Sequence, residues 1–253
     1  MNDVLEFQEK SIEQQFKKVG RKKTILAIDY HEREYYGDKN DLWVIGGKHK
    51  NGTCWFHKYA TIEIVSERKR LTLFALPIPV FSNPENVVKV LIERAKRYVD
   101  IELVMLDRWF FSGHVIRILN EQKVDFLMVA KNTPKIWKLN QSVYGYEMNK
   151  SKFNLIIKRN RKWATSLGYL PEKFSKIYRR RWRIETGYKK KKDFKIKTRT
   201  RNPVIRFFFF VVEILMYNCW ILMGLLPSVI QEYCGKLKRL TTRVFKLKFL
   251  GIP

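Results

Sequence analysis

Acidic residues are scarce in this 253-residue chain: 24 Asp and Glu face 51 Lys and Arg, a formal net charge of +27. Cysteine and histidine are scarcer still, at three and four residues. Cys54, Cys219 and Cys234 form no C-x-x-C pair and do not cluster with histidines. That excludes a disulfide frame or a zinc site built from such pairs and points to a reducing cytoplasm. His31, His49, His57 and His114 show no ligand spacing and are expected on the surface or in loops. The first 23 residues hold no long apolar stretch of the signal-peptide kind and read as an amphipathic helix with a basic end.

What is present is a core and a polyanion-binding charge. Hydrophobic residues make up 45% and aromatics 14%, which separates the chain from disordered basic tails. A surplus of positive charge this large opposes compaction unless a polyanion relieves it, so nucleic acid is the expected partner class. The surplus is concentrated: residues 131–201 hold 23 Lys and Arg against four acids, Glu147, Glu172, Glu185 and Asp193. One segment, 203–226, is long enough to span a bilayer. Arg206, Glu213 and Asn218 interrupt it, and a mid-span acid costs a few kcal/mol, so a buried helix is expected and no membrane partner.

The order of elements implies α/β architecture. "TILAIDY" (24–30) reads as a central strand, residues 41–67 as hairpins around Gly-Gly and Asn-Gly breaks, and "RLTLFALPIPV" (70–80) as a third strand. Asn83 and Pro84 open a helix to about Val99, and "IELVMLD" (101–107) is the next strand. A helix from about Ser112 to Gln122 and a strand over 124–131 follow. Residues 132–170 read as a small β insertion, and helices over 172–192 and 203–224 come last. The domain division expected is an N-terminal helical segment 1–23, a catalytic domain 24–226 and a basic tail 227–253. The fold expected is a mixed sheet flanked by helices.

Two acids end apolar strands, Asp29 and Asp107, and in this order those strands can lie side by side. Within "YRRRWRIETGYKKKK" a lone Glu185 shares one helical stripe with Tyr178, Arg181 and Lys192, all within roughly 60° of arc at about 100° per residue. Three hard oxygen donors, Asp29, Asp107 and Glu185, suit two Mg²⁺ or Mn²⁺ ions about 3.5–4 Å apart, serving phosphoryl transfer. The plainer alternatives are two solvated strand caps and a solvated basic helix with one incidental acid. Trp109 and Trp163 are expected to pack, with base stacking near a cut as the other use of either. The run Phe207–Phe210 is expected in the core, and Asp38, Asp41 and Asp193 in solvent.

The spacing of Tyr178, Arg181, Glu185 and Lys192 resembles the Y-R-E-K signature of DDE transposases of insertion-sequence family 4. "LAID" and "VMLD" resemble the contexts of that family's first two acids, and "WATSL" the short strand before its signature helix. The resemblance covers about residues 24–225 and implies a ribonuclease H-like fold with a β insertion before the last catalytic helix. It implies metal-dependent cleavage at transposon ends and strand transfer into target DNA. Asp29, Asp107 and Glu185 would hold the metals; Tyr178, Arg181 and Lys192 would meet phosphates near the cut. Lys189, Lys190 and the rest of the basic run 189–201, with the insertion, would extend the contact along double-stranded DNA. A homodimer on DNA is implied, since two ends must be held together. Only 28 residues precede Asp29, where the family carries an end-recognition region, so the expectation includes an N-terminally short copy. The alternative is a catalytically idle remnant that only binds DNA.

Overall fold

Strand β1 (Lys23–Tyr35) is buried over three successive residues, Leu26, Ala27 and Ile28, which means that both of its faces are covered. A computed structural model of the protein describes residues 1–17, 21–65, 70–158, 161–168, 177–178 and 192–223. In it β1 lies between antiparallel β3 (Thr53–Val65) and parallel β5 (Asp100–Leu106). β3 is long enough to pair twice on its outer side, with β2 (Val44–Lys50) near its start and β4 (Arg70–Ile78) over its later half. Beyond β5 come parallel β6 (Phe126–Val129), then antiparallel β9 (Arg161–Thr165), β8 (Ser151–Lys158) and β7 (Val143–Met148). The result is one mixed nine-stranded sheet. The strands of the 132–170 region join it at the β6 edge.

Local chemistry accounts for the connections. The β2–β3 hairpin turns at Asn51 and Gly52, with φ of 50° and 81°, the backbone that an Asn-Gly pair adopts most readily. Helix α2 (Pro84–Ala95) starts with Pro at its first turn, and α3 (Gly113–Glu121) is capped by Ser112, whose Oγ accepts from Val115 N at 3.2 Å. The short helix α4 (Pro134–Trp137) starts the same way behind the Thr133 cap. The tip of the β7–β8 hairpin rests on α3. A Cβ on Gly113 would come within 2.6 Å of the Met148 carbonyl, so only glycine permits that approach. Ser151 Oγ donates to the Gly113 carbonyl at 2.9 Å and completes the seat.

Two layers of helix cover the sheet. Leu26, Ile28, Ala60 and Ile62 face α2 and α3 in the main core. Alternation sends Ala27, Tyr59, Val65 and Met105 to the opposite face, where helix α5 (Pro203–Met223) covers Tyr59 and Ala75 with Phe207, Phe210 and Ile214. Helix α1 (Asn2–Phe16) lines its buried side with Val4, Gln8, Ile12 and Phe16 and packs on α5 and β4. Of the phenylalanine run only Phe207 and Phe210 are buried; Phe208 is exposed against Phe7, so the expectation of an all-core run is corrected to one helical face.

Helix α5 is the one described helix long and apolar enough to cross a membrane by length and composition. Its polar interruptions are all used inside the protein. Glu213 pairs with Arg33 of β1 and its other oxygen accepts from Ile196 N at 2.9 Å. Asn218 donates to Thr72 O at 2.9 Å and accepts from Thr72 N at 3.0 Å. Thr72 sits at a register shift in the β3–β4 pairing, so Asn218 serves backbone groups the irregular ladder leaves over.

Breaking the Arg33–Glu213 pair from one side should be costly, because it leaves a carboxylate in a site where only 6% of that side chain is exposed. We expect Arg33→Met to lower unfolding free energy by about 3 kcal/mol in urea melts. The double variant Arg33→Met/Glu213→Leu should recover most of that loss.

Candidate active site

β1 and β5 run in register, with Ile28 opposite Leu106, and the next residue on each chain is an aspartate. Asp29 and Asp107 therefore emerge side by side at one level of the sheet. Both are half-buried and line one open cleft of about 690 Å³. β1 does not end at Asp29, as the sequence suggests, but continues to Tyr35 against β3. What ends there is the pairing with β5, and that divergence opens the cleft. Asp107 Oδ1 accepts from Arg108 N at 2.7 Å and so caps the 3₁₀ turn Arg108–Phe110. Asp29 Oδ1 accepts from Tyr30 N at 2.9 Å.

Around the acids stand cations and rings. Lys58 of β3 lies with Nζ 4.6 Å from the centre of the Tyr30 ring and 5.6 Å from that of Trp109. Lys131 Nζ approaches Trp109 from 5.4 Å and donates to its carbonyl at 3.2 Å. Lys48, Lys50 and Arg33 line the same cleft. Tyr30 stacks on Phe110 with ring centres 4.7 Å apart. Burial, then the Glu85 carboxylate, push its phenol up to about 12, so at neutral pH it stays protonated and offers no base.

The two tryptophans part ways. Trp163 is buried against Tyr178, as packing requires. Trp109 is 62% exposed, which corrects the packing expectation for it. His57 also departs from the loop or surface role: it lies inside β3, edge-on to Tyr35. Its Nε2 meets no hydrogen-bond partner among the described residues. Asp38 and Asp41 accept from Asn40 N and Trp43 N in the loop before β2, and Asp193 is exposed.

Tyr178 is 4% exposed, with its ring edge-on to Trp163 at 4.7 Å and its hydroxyl donating to Leu106 O at 3.2 Å. Arg181, Glu185, Lys189 and Lys190 lie outside the described residues. Lys192 opens the 3₁₀ turn Lys192–Phe194. Among the described residues no group of three or more His, Cys, Asp or Glu is arranged to hold a metal. Asp29 and Asp107 supply hard oxygen donors of the kind Mg²⁺ and Mn²⁺ take, and the Glu32 carboxylate lines the same open cleft. Lys58 was not legible from sequence: its place on the cleft wall follows from the register that sets it opposite Glu32, and no spacing signals that.

The family model for the transposase DDE domain matches residues 20–219. The chain belongs to the DDE transposase family. No curated protein matches it. The mixed sheet with helices on both faces is consistent with the ribonuclease H-like fold of these transposases. Within that fold Asp29 and Asp107 come together at the β1–β5 junction.

His57, buried inside β3, carries a pH dependence. Burial first and the Arg206 guanidinium second push His57 down to about 4, against the opposite pull of Asp41 and the Trp43 backbone. The unfolded chain, with its imidazole near 6.5, then binds more protons than the folded one between these values. Stability from this group is complete above pH 6.5 and is lost as pH falls towards 4. The difference in melting temperature between wild type and His57→Gln should shrink across that window on acidification; a constant difference would remove the assignment.

Proposed function

We propose that this protein is an insertion-sequence transposase of the family 4 type, in which Asp29, Asp107 and Glu185 hold two Mg²⁺ or Mn²⁺ ions. The observation that carries the reading is the placement of Asp29 and Asp107 on neighbouring parallel strands in one cleft. Bound there, the ions would activate an attacking water or hydroxyl and stabilise the leaving 3′ oxygen. In cleavage, water oxygen bonds to phosphorus at a transposon end, the P–O3′ bond breaks, and the 3′ oxygen takes up the proton. In strand transfer the oxygen of that 3′ hydroxyl bonds to a target phosphorus, the target's P–O3′ bond breaks, and the departing 3′ oxygen takes up the proton.

The remaining residues bind and orient DNA. Residues 195–201 run without helix or strand, and Lys195, Lys197, Arg199 and Arg201 are exposed while Ile196, Thr198 and Thr200 turn inward. A row of cations at alternate positions suits a phosphate backbone. Glu213 fixes this row through Ile196 N, and so α5 serves DNA binding as a core helix, with no membrane partner. Arg181, Lys189, Lys190 and Lys192 would add phosphate contacts, and pairing of two ends would bring two copies together on DNA in the cytoplasm. The exposed Trp109, beside Asp107 and bracketed by Lys58 and Lys131, gives a base next to the cut a ring to stack on.

Two experiments test this. Mg²⁺-dependent nicking of end-containing DNA should fall at least about 100-fold in Asp107→Asn, since metal ligation supplies several kcal/mol to the transition state. DNA affinity should hold. Salt-sensitive binding without any metal-dependent cleavage by wild type would instead identify a remnant that only binds DNA. Trp109→Ala should weaken binding to ends carrying an unpaired terminal base by roughly 5- to 150-fold, the loss of one stacked base, while Trp109→Phe keeps most of it. Equal loss on fully paired DNA would remove the stacking role.

A further inference from the structure

The resemblance puts Tyr178 on a DNA phosphate, whereas the structure puts it inside the protein. Its ring belongs to the cluster of Ala27, Leu103, Met105, Leu127 and Trp163, and its hydroxyl donates to the carbonyl of Leu106. Leu106 is the last residue of β5, one peptide bond before Asp107. From this arrangement we infer that Tyr178 is a positioning residue: it fastens the end of β5, and with it Asp107, to the segment that leads seven residues later to Glu185. The inference rests on the transposase reading and gives Tyr178 a role that reading does not.

Three features argue for it. Side chains two apart on a strand share a face, so Ala27 and Asp29 point one way from β1, and Met105 and Asp107 point the same way from β5. The cluster holding Tyr178 therefore lies on the face that carries both carboxylates, one row behind them. Next, β5 loses its sheet partners at this point: Leu106 is its last paired residue, opposite Ile28 on one side and Met128 on the other. A bond to its carbonyl thus acts where the ladder stops holding the backbone. Finally, a phenol that is 4% exposed and edge-on to Trp163 reaches a phosphate only by leaving a packed site. Ligand sets need their outer hydrogen bonds because a carboxylate displaced by a fraction of an ångström binds metal less well.

Tyr178→Phe keeps the ring and removes only the hydroxyl. We expect end cleavage at fixed Mg²⁺ to fall about 10- to 100-fold, the usual effect of losing an outer hydrogen bond at a metal site. The Mn²⁺ concentration for half-maximal rate should rise, and excess Mn²⁺ should restore part of the rate. DNA affinity and its salt slope should match wild type. Weaker DNA binding with a log–log salt slope reduced by about 0.9 would mark a lost phosphate contact and overturn the inference. An unchanged rate with an unchanged Mn²⁺ requirement would reduce Tyr178 to packing. Should wild type cleave no DNA with either metal, the transposase reading fails on its own. Hydrogen exchange over residues 104–111 then decides the positional role: faster exchange in Tyr178→Phe sustains it, and unchanged exchange overturns it.

Discussion

The parallel pairing of β1 with β5 is the constraint on which the site depends. Each strand is a buried apolar run that tolerates a carboxylate only where its burial stops. In register, with Ile28 against Leu106, the two runs stop at the same level, and the acids that follow are neighbours. A slip of one residue along either strand would turn one of them to the opposite face, into the core under α2 and α3. The ladder that builds the core therefore also sets the geometry of the acids. The antiparallel β1–β3 ladder extends the same logic past the divergence, since it continues to Tyr35 and carries Lys58 to the cleft wall.

Charge is distributed to match. A chain of net charge +27 gains little from placing more cations near one another. Among the described residues several half-buried cations have a local counterpart: Arg33 has Glu213, Arg94 has Glu9, and Lys58 lies between two ring faces near Glu32. The cations of residues 195–201 face solvent instead, although Lys195 lies 3.5 Å from Glu34. A polyanion laid along that row would relieve the repulsion that the fold leaves in place, which is why affinity for such a partner should depend steeply on salt.

Much of this was legible in the sequence because it rests on local rules. Pro84 and Ser112 announced the starts of α2 and α3, Asn51-Gly52 announced the hairpin, and two apolar runs ending in Asp announced neighbouring strands. Glu213 and Asn218 spoke for a buried helix, since their positions imply partners within the protein. What escaped notice depends on register or on exposure. Lys58 reaches the cleft only through its partner in the β1–β3 ladder, and nothing in "WFHKYA" distinguishes it from its neighbour His57, which turns inward. Trp109 and Trp163 look alike as sequence, yet one follows a strand end into a turn while the other sits within β9. The run Phe207–Phe210 exceeded what one helical face can bury, so its middle was bound to meet solvent.

Tyr178 shows why a signature spacing does not fix a role. Tyr178 meets the apolar row Ala27–Met105, which takes a ring; one row further on lie the carboxylates, which call for charge. A tyrosine suits the first position because it carries both a ring for the apolar row and a donor for the strand carbonyl beside it. Tyr178 thus stands in the core row behind the acids, and its hydroxyl meets the strand carbonyl just before Asp107.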